Sequence, residues 1–386
     1  VAAEAALEQA RQTDRQGRRR LFDGVPLGLK DTIDTAEMPT ELGDPEIFPG
    51  RQPTADAPVV TMARGLGFTV LGKNTVSRHA IMLPGPARNP HDLARTPAAS
   101  SAGSAAAVAD FMTPISIGTQ TAGSILRPSA FCGAVGFKPT LDAIPYVGIR
   151  TYSRPLDVIG PICRSVEDAT LFMRGFTQDP RFDTAKPLTR DVRVGVWRTK
   201  DWDNADPAAM AVFEQNLDKL SSAGARTSTL SMPRLFEKMG DAQDIIMAYD
   251  LAREYAAIKR GHAEKCDPEL LAYLALGETY SDADYSRALD EADACRRAFY
   301  DLARDLDVVA MPSTLGEAPL ANSTGSSAFI RIWSLLHNPS ITLPVSRSAA
   351  GLPLGFQVVG FVKEDARLLY FARCVEDILG NTAQDR

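Results

Sequence analysis

Only four histidines occur in the 386 residues (His79, His91, His262 and His337), and none stands in a recognisable catalytic setting. No G-x-S-x-G turn occurs either, which excludes a Ser-His-Asp hydrolase built on that elbow. The five cysteines (Cys132, Cys163, Cys266, Cys295 and Cys374) are odd in number, scattered and free of any C-x-x-C pair. They read as free thiols of a reducing cytoplasm rather than as a disulfide framework. His262 and Cys266 stand four apart with no second ligand pair, so no metal site is expected. Neither G-x-x-x-x-G-K-[ST] nor G-x-G-x-x-G appears, and no nucleotide or other cofactor is expected. There is no basic excess: 42 Lys and Arg face 48 Asp and Glu, a net charge of −6, which argues against a nucleic-acid partner. No apolar run approaches the ~18 residues that cross a bilayer, so no membrane association is expected. The first residue is Val, and the opening lacks the charged and apolar regions of a signal peptide; the numbering reads as starting inside a longer chain.

What is present is ordinary globular material, 45% apolar and 23% charged. Short apolar runs alternate with helical patterns. Strand-like runs stand at Phe68–Leu71, Pro114–Ile117, Val192–Trp197, Thr227–Leu230, Val308–Met311, Ile341–Val345 and Phe356–Val359. Helical patterns cover Ala57–Leu66, Ser104–Phe111, Pro207–Ala223, Tyr285–Arg304 and a closing stretch from Asp365. This alternation predicts an α/β fold with a central mixed β-sheet covered by helices on both faces. No repeat or linker divides the chain, so one domain over 1–386 is expected, with a helical layer inside it at about 236–304.

Three islands carry the chemistry: Gly24-Val-Pro-Leu-Gly-Leu-Lys-Asp31, Ala98-Ala-Ser-Ser-Ala-Gly-Ser-Ala-Ala-Ala-Val-Ala109 and Gly118-Thr-Gln-Thr-Ala-Gly-Ser-Ile-Leu-Arg-Pro128. Lys30 ends an apolar segment. Taken alone, such a lysine more often snorkels its ammonium to water. Buried, it loses its proton and becomes a base, and a move from ~10.4 to near 7 takes about 5 kcal/mol of desolvation. Ser100-Ser101 taken alone reads as an N-cap before an Ala-rich helix. Residues 118–128 read as strand, tight loop and first helical turn, either a plain connection or a place where successive N–H groups converge on an anion.

Together the three islands resemble the amidase signature family. Its pattern is a G-x-K-[DE] lysine, a G-G-S-S-[GS]-G-S segment and a loop close to G-T-[DQ]-x-G-G-S-[IV]-R-x-P. In that family the serine of the second segment lies 24 positions before the nucleophile, as Ser100 lies before Ser124 here. Phe131-Cys-Gly-Ala-Val-Gly-Phe-Lys-Pro-Thr140 matches the run that follows. Asp34–Glu41, Gln52–Val60, Gln120, Trp333–Pro339 and Gly351–Val359 are similar to a small stand-alone bacterial branch of the family.

The resemblance implies the amidase signature fold and hydrolysis of a small primary amide by a Ser-Ser-Lys relay without cofactor or metal. It makes Ser124 the nucleophile, Ser100 the bridging serine (preceded in the family by a cis peptide bond) and Lys30 the base. Backbone N–H groups around Thr121, Ala122, Gly123 and Ser124 would hold the oxyanion, and Thr119 would support the relay from behind. Arg127, one place later than in the common family pattern, would grip a substrate carboxylate, or else pair with a neighbouring loop. The expected substrate is a short acid amide such as malonamate; a homodimer is allowed. Ala98, Ala99, Ala102 and Ala122 stand where glycine or serine is usual. An alanine at 122 would be costly if that position needs a positive φ. Two alternatives remain: the amidase component of a tRNA-dependent amidotransferase, against which the short chain argues, and an amidase-like protein that only binds.

Overall fold

Ten strands pair into one sheet among the residues that the computed structural model describes, which are 3–80, 83–183 and 192–384. They are β1 (Pro26–Lys30), β2 (Thr69–Asn74), β3 (Ile115–Gln120), β4 (Val135–Lys138), β5 (Val158–Cys163), β6 (Arg193–Val196), β7 (Arg226–Thr229), β8 (Val308–Pro312), β9 (Ser340–Arg347) and β10 (Pro353–Val359). The order across the sheet is β2-β1-β3-β5-β4-β9-β10-β8-β6-β7. Both flanks are parallel and the middle is antiparallel, so the sheet is mixed.

Alternation along single strands shows that both faces are covered. Val308 and Ala310 of β8 join a core cluster with Phe172, Phe213 and Leu369, from helices at 166–177, 207–222 and 365–379. Val309 and Met311 point the other way, into a cluster with Ile246, Phe299 and Trp333. A strand buried on both faces reads as a continuous apolar run, as Val308-Val-Ala-Met311 does. The segment expected to be helical holds helices at Met239–Glu254, Ala256–His262, Pro268–Thr279 and Asp282–Ala303. The last is closed by a capping box between Ser281 and Asp284.

Two strands central to the sheet, β4 and β5, were not expected. Gly160 and Pro161 punctuate β5 and make it resemble a loop. Gly160 is needed there because a Cβ would lie 2.0 Å from the Phe137 carbonyl oxygen. β2 also runs past Leu71 to Asn74, where it pairs with Lys30 at the end of β1.

Candidate active site

Lys30 is the last residue of β1, after the fully buried Leu27 and Leu29, and is itself 0% exposed. β1 runs parallel to β3 with Leu29 opposite Ile117, which brings the lysine beside the end of β3. Its Nζ lies 2.7 Å from Ser100 Oγ, 2.7 Å from Thr119 Oγ1 and 3.3 Å from the Thr119 carbonyl oxygen. Burial lowers its pKa from 10.5 to about 7, against the opposing pull of the Asp157 carboxylate. The snorkelling alternative is therefore not what the fold adopts. An uncharged Lys30 amine keeps two protons for the Thr119 oxygens and offers its lone pair to the Ser100 hydroxyl.

Ser100 and Ser101 precede the helix Ala102–Ala109, but neither caps it in the expected way. Ser101 sits at the N-cap without a side-chain cap bond. Its hydroxyl instead donates to the Thr119 carbonyl at 3.2 Å and fastens the serine turn to β3. The preceding Ala98 and Ala99 are buried and left-handed, at φ 65° and 44°. Alanine in that region costs roughly 1–2 kcal/mol per residue, a strain that the family's usual glycines avoid. No cis peptide occurs among the described residues, so the bond before Ser100 is trans, where the resemblance implies cis.

β3 ends at Gln120, and a tight turn carries Thr121 to Ile125 into the helix Leu126–Cys132. Gln120 braces this turn: its Oε1 accepts the N–H groups of Ile125 and Leu126 at 3.0 and 3.1 Å, and its Nε2 donates to Ser334 Oγ. Gly123 adopts φ 149°, and a Cβ there would lie 3.2 Å from that of Ser327. Ala122 is not among the positive-φ residues, so its methyl group carries no such strain.

Ser100, Thr119, Thr121, Ala122, Ser124 and Arg127 line one cavity of about 350 Å³, with Lys30 behind Ser100. None of the four histidines lines it. Arg127 enters from the first turn of its helix. Its Nη1 donates to the Gly325 carbonyl at 2.5 Å, and among the described residues its Nε has no hydrogen-bond partner and no carboxylate pairs with it. Burial lowers its pKa from 12.5 to about 10, so it remains a cation at neutral pH. One arm of Arg127 thus holds the Gly325 loop, and the side chain also borders the cavity.

Asp157 was not singled out from the sequence. It stands one residue before β5, which pairs antiparallel with β3 so that Gln120 faces Val158; Thr121 and Asp157 are therefore opposite each other. The Thr121 hydroxyl donates to Asp157 Oδ1 at 2.5 Å, and the N–H groups of Tyr152 and Ser153 donate to Oδ2 at 2.8 and 3.1 Å. Burial raises the carboxyl to about 6, while these donors and Lys30 pull it down. A signal existed in the sequence, an acidic residue directly before an apolar run, but only knowledge of the β3–β5 pairing gives it meaning. The remaining sequence candidates lie elsewhere: the Cys266 thiol faces the His262 carbonyl at 3.4 Å, and no group of three His, Cys, Asp or Glu suited to a metal occurs among the described residues.

The chain as a whole is similar to known proteins. The sequence profile of a family described as Amidase matches residues 1–369. A glutamyl-tRNA(Gln) amidotransferase subunit from Anaeromyxobacter sp. (strain K) is 33% identical over 435 residues, covering 98% of this chain and 88% of its own. A solved amidase superposes with a TM-score of 0.87 at 28% identity, covering 98% of this chain and 90% of the other. The peptide amidase from Stenotrophomonas maltophilia does so with a TM-score of 0.81 at 27% identity, covering 98% and 88%.

Proposed function

The chain belongs to the amidase family, an enzyme family that hydrolyses amides, and we propose that this member converts a short acid amide such as malonamate to its carboxylate and ammonia. The observation that carries the reading is the contact of a fully buried Lys30 with Ser100 at 2.7 Å, in a cavity that also holds Ser124.

In the proposed course, Lys30 takes the Ser100 proton while Ser100 takes that of Ser124, and Ser124 Oγ attacks the amide carbon. The N–H groups of Thr121, Ala122, Gly123 and Ser124 hold the developing oxyanion; losing one such donor typically costs about 10²–10³ in rate. The proton returns along the relay to the nitrogen, the C–N bond breaks and ammonia leaves. Water then repeats the attack on the acyl-enzyme. A base with a pKa near 7 is matched to this work at neutral pH. Thr119 fixes the amine from behind.

The malonamate assignment rests on resemblance to malonamidase, which carries its arginine at the same shifted place, and on Arg127 bordering the cavity without an acidic partner among the described residues. The proposal takes the chain as one unit acting in a reducing cytoplasm on a small molecule, without cofactor, nucleic acid or membrane; a homodimer is compatible with it. No described helix is long and apolar enough to cross a membrane.

A second reading is favoured by the curated relatives, whose names are those of glutamyl-tRNA(Gln) amidotransferase subunits. In that case the ammonia would pass to a partner protein. Ammonia release from a panel of amides, with and without a terminal carboxylate, separates the readings. Turnover of malonamate by the chain alone supports the first, and turnover only with a partner present supports the second. Failure of a serine-directed fluorophosphonate to label Ser124 would leave only a binding role.

A further inference from the structure

Beside the site cavity lies a second one of about 640 Å³, walled on its apolar side by Trp197, Met232 and Phe236. Asp244, Ser327 and Arg331 line both cavities, so the two meet at these residues. Ligand cavities commonly run from about 300 to 1,000 Å³. The site cavity alone is at the lower end of that range, and the two joined would be near the top.

Arg331 begins the helix Arg331–Leu335 and is fastened to the helix Met239–Glu254. Its Nε donates to Gln243 Oε1 at 3.0 Å, its Nη2 donates to the Gly240 carbonyl at 3.3 Å and pairs with Asp244. Gln243, which is 0% exposed, also donates its Nε2 to the Arg331 carbonyl at 3.0 Å. A single buried amide thus grips both the backbone and the side chain of one arginine. Swinging the guanidinium aside would leave that amide oxygen unpaired in the interior, so the side chain is held in place.

We propose that Arg331, clamped by Gln243 and Asp244 where the two cavities meet, is a specificity-determining wall that limits the site to short acyl chains. This rests on the short-acid-amide reading above and deepens it. Arg127 meets the carboxylate of a short acyl chain, and Arg331 closes off the space into which a longer chain would have to run. Removing the arginine side chain opens the site to the adjoining space, where a longer chain can extend along Trp197, Met232 and Phe236 beside charged groups such as Lys200 and Glu237.

The test measures kcat/KM for the monoamides of malonic, succinic, glutaric and adipic acids, and calorimetric binding of malonate and adipate, in the wild-type chain and in Arg331→Ala. The wild type is expected to favour malonamate over adipamate, and Arg331→Ala to shrink that preference at least tenfold, with a parallel gain in adipate binding over malonate. Asp244→Ala, which removes only the anionic end of the clamp, should shift both ratios the same way by less, and serves if Arg331→Ala does not fold. Ratios unchanged within twofold in both variants overturn the wall. If the wild type hydrolyses none of the amides, the functional reading fails, while the dicarboxylate binding ratio still decides the wall; binding of neither diacid by any of the proteins overturns it too.

Discussion

Thr121 and Asp157 face each other across the antiparallel pair of β3 and β5, and the threonine hydroxyl donates to the buried carboxylate at 2.5 Å. Through this bond Asp157 ties the turn that carries Ser124 to the Tyr152–Ser153 wall, whose N–H groups it also accepts. It further supplies a negative charge that raises the pKa of Lys30. Asp157→Asn keeps the shape and removes the charge. The acid limb of kcat/KM is expected to move to lower pH, because a protonated Lys30 loses its attraction, and kcat to fall about tenfold as the turn proposed to hold the oxyanion loosens. A pH–rate profile of the variant checks this; a limb displaced upward counts against it.

Lys30 also leaves a mark on stability. Its folded pKa of about 7 lies below the ordinary 10.5, so between these values the unfolded chain binds a proton that the folded chain does not. Stability therefore rises with pH from 7 toward 10.5, and the full penalty, of order 5 kcal/mol, acts below pH 7. Lys138, equally buried and also lowered to about 7, adds a second contribution of the same sign. Lys30→Met should raise Tm at pH 6–7 and flatten the rise in stability between pH 7 and 9, while cutting turnover by about 10³ or more. Thermal unfolding across pH measures the first effect and ammonia release the second. A variant less stable than the wild type at pH 6 would contradict a buried amine at this position.

The three sequence islands made Lys30, Ser100 and Ser124 legible as site candidates because each stands on its own local motif: Lys30 at the end of a strand, Ser100 in the turn before a helix, Ser124 in the turn after β3; the structure sets Lys30 against Ser100 and places both serines on one cavity. Asp157 and Arg331 were not legible in this way. Asp157 acts through a strand pairing with a partner 36 positions away, and β5 is disguised by its own glycine and proline. Arg331 is held by a helix whose Asp244 lies 87 positions away. The overall α/β alternation was readable from apolar periodicity, whereas two strands at the centre of the sheet were hidden, the four-residue β4 by its length and β5 by its glycine and proline. The φ angles resolved what the alanine departures meant: strain falls on Ala98 and Ala99, and not on Ala122.

Arg127 offers a test of substrate class. The side chain borders the cavity with no carboxylate paired to it among the described residues, while Nη1 is occupied by Gly325. Arg127→Ala is expected to raise KM for malonamate by about 10²-fold, in keeping with a charged hydrogen bond of about 1.5–3 kcal/mol, and to change KM for acetamide little. Steady-state kinetics on the two amides checks this. Equal losses for both would assign the arginine to holding the Gly325 loop alone.

The central claim is that an uncharged Lys30 draws a proton from Ser124 through Ser100. The pH dependence of kcat/KM for malonamate between pH 5 and 9 tests it most directly, because that ratio reports ionisations of the free enzyme. A rise governed by one group titrating near pH 7 is expected, as Lys30 gives up its proton. A profile flat across this range, or a rise already complete below pH 5, would contradict it.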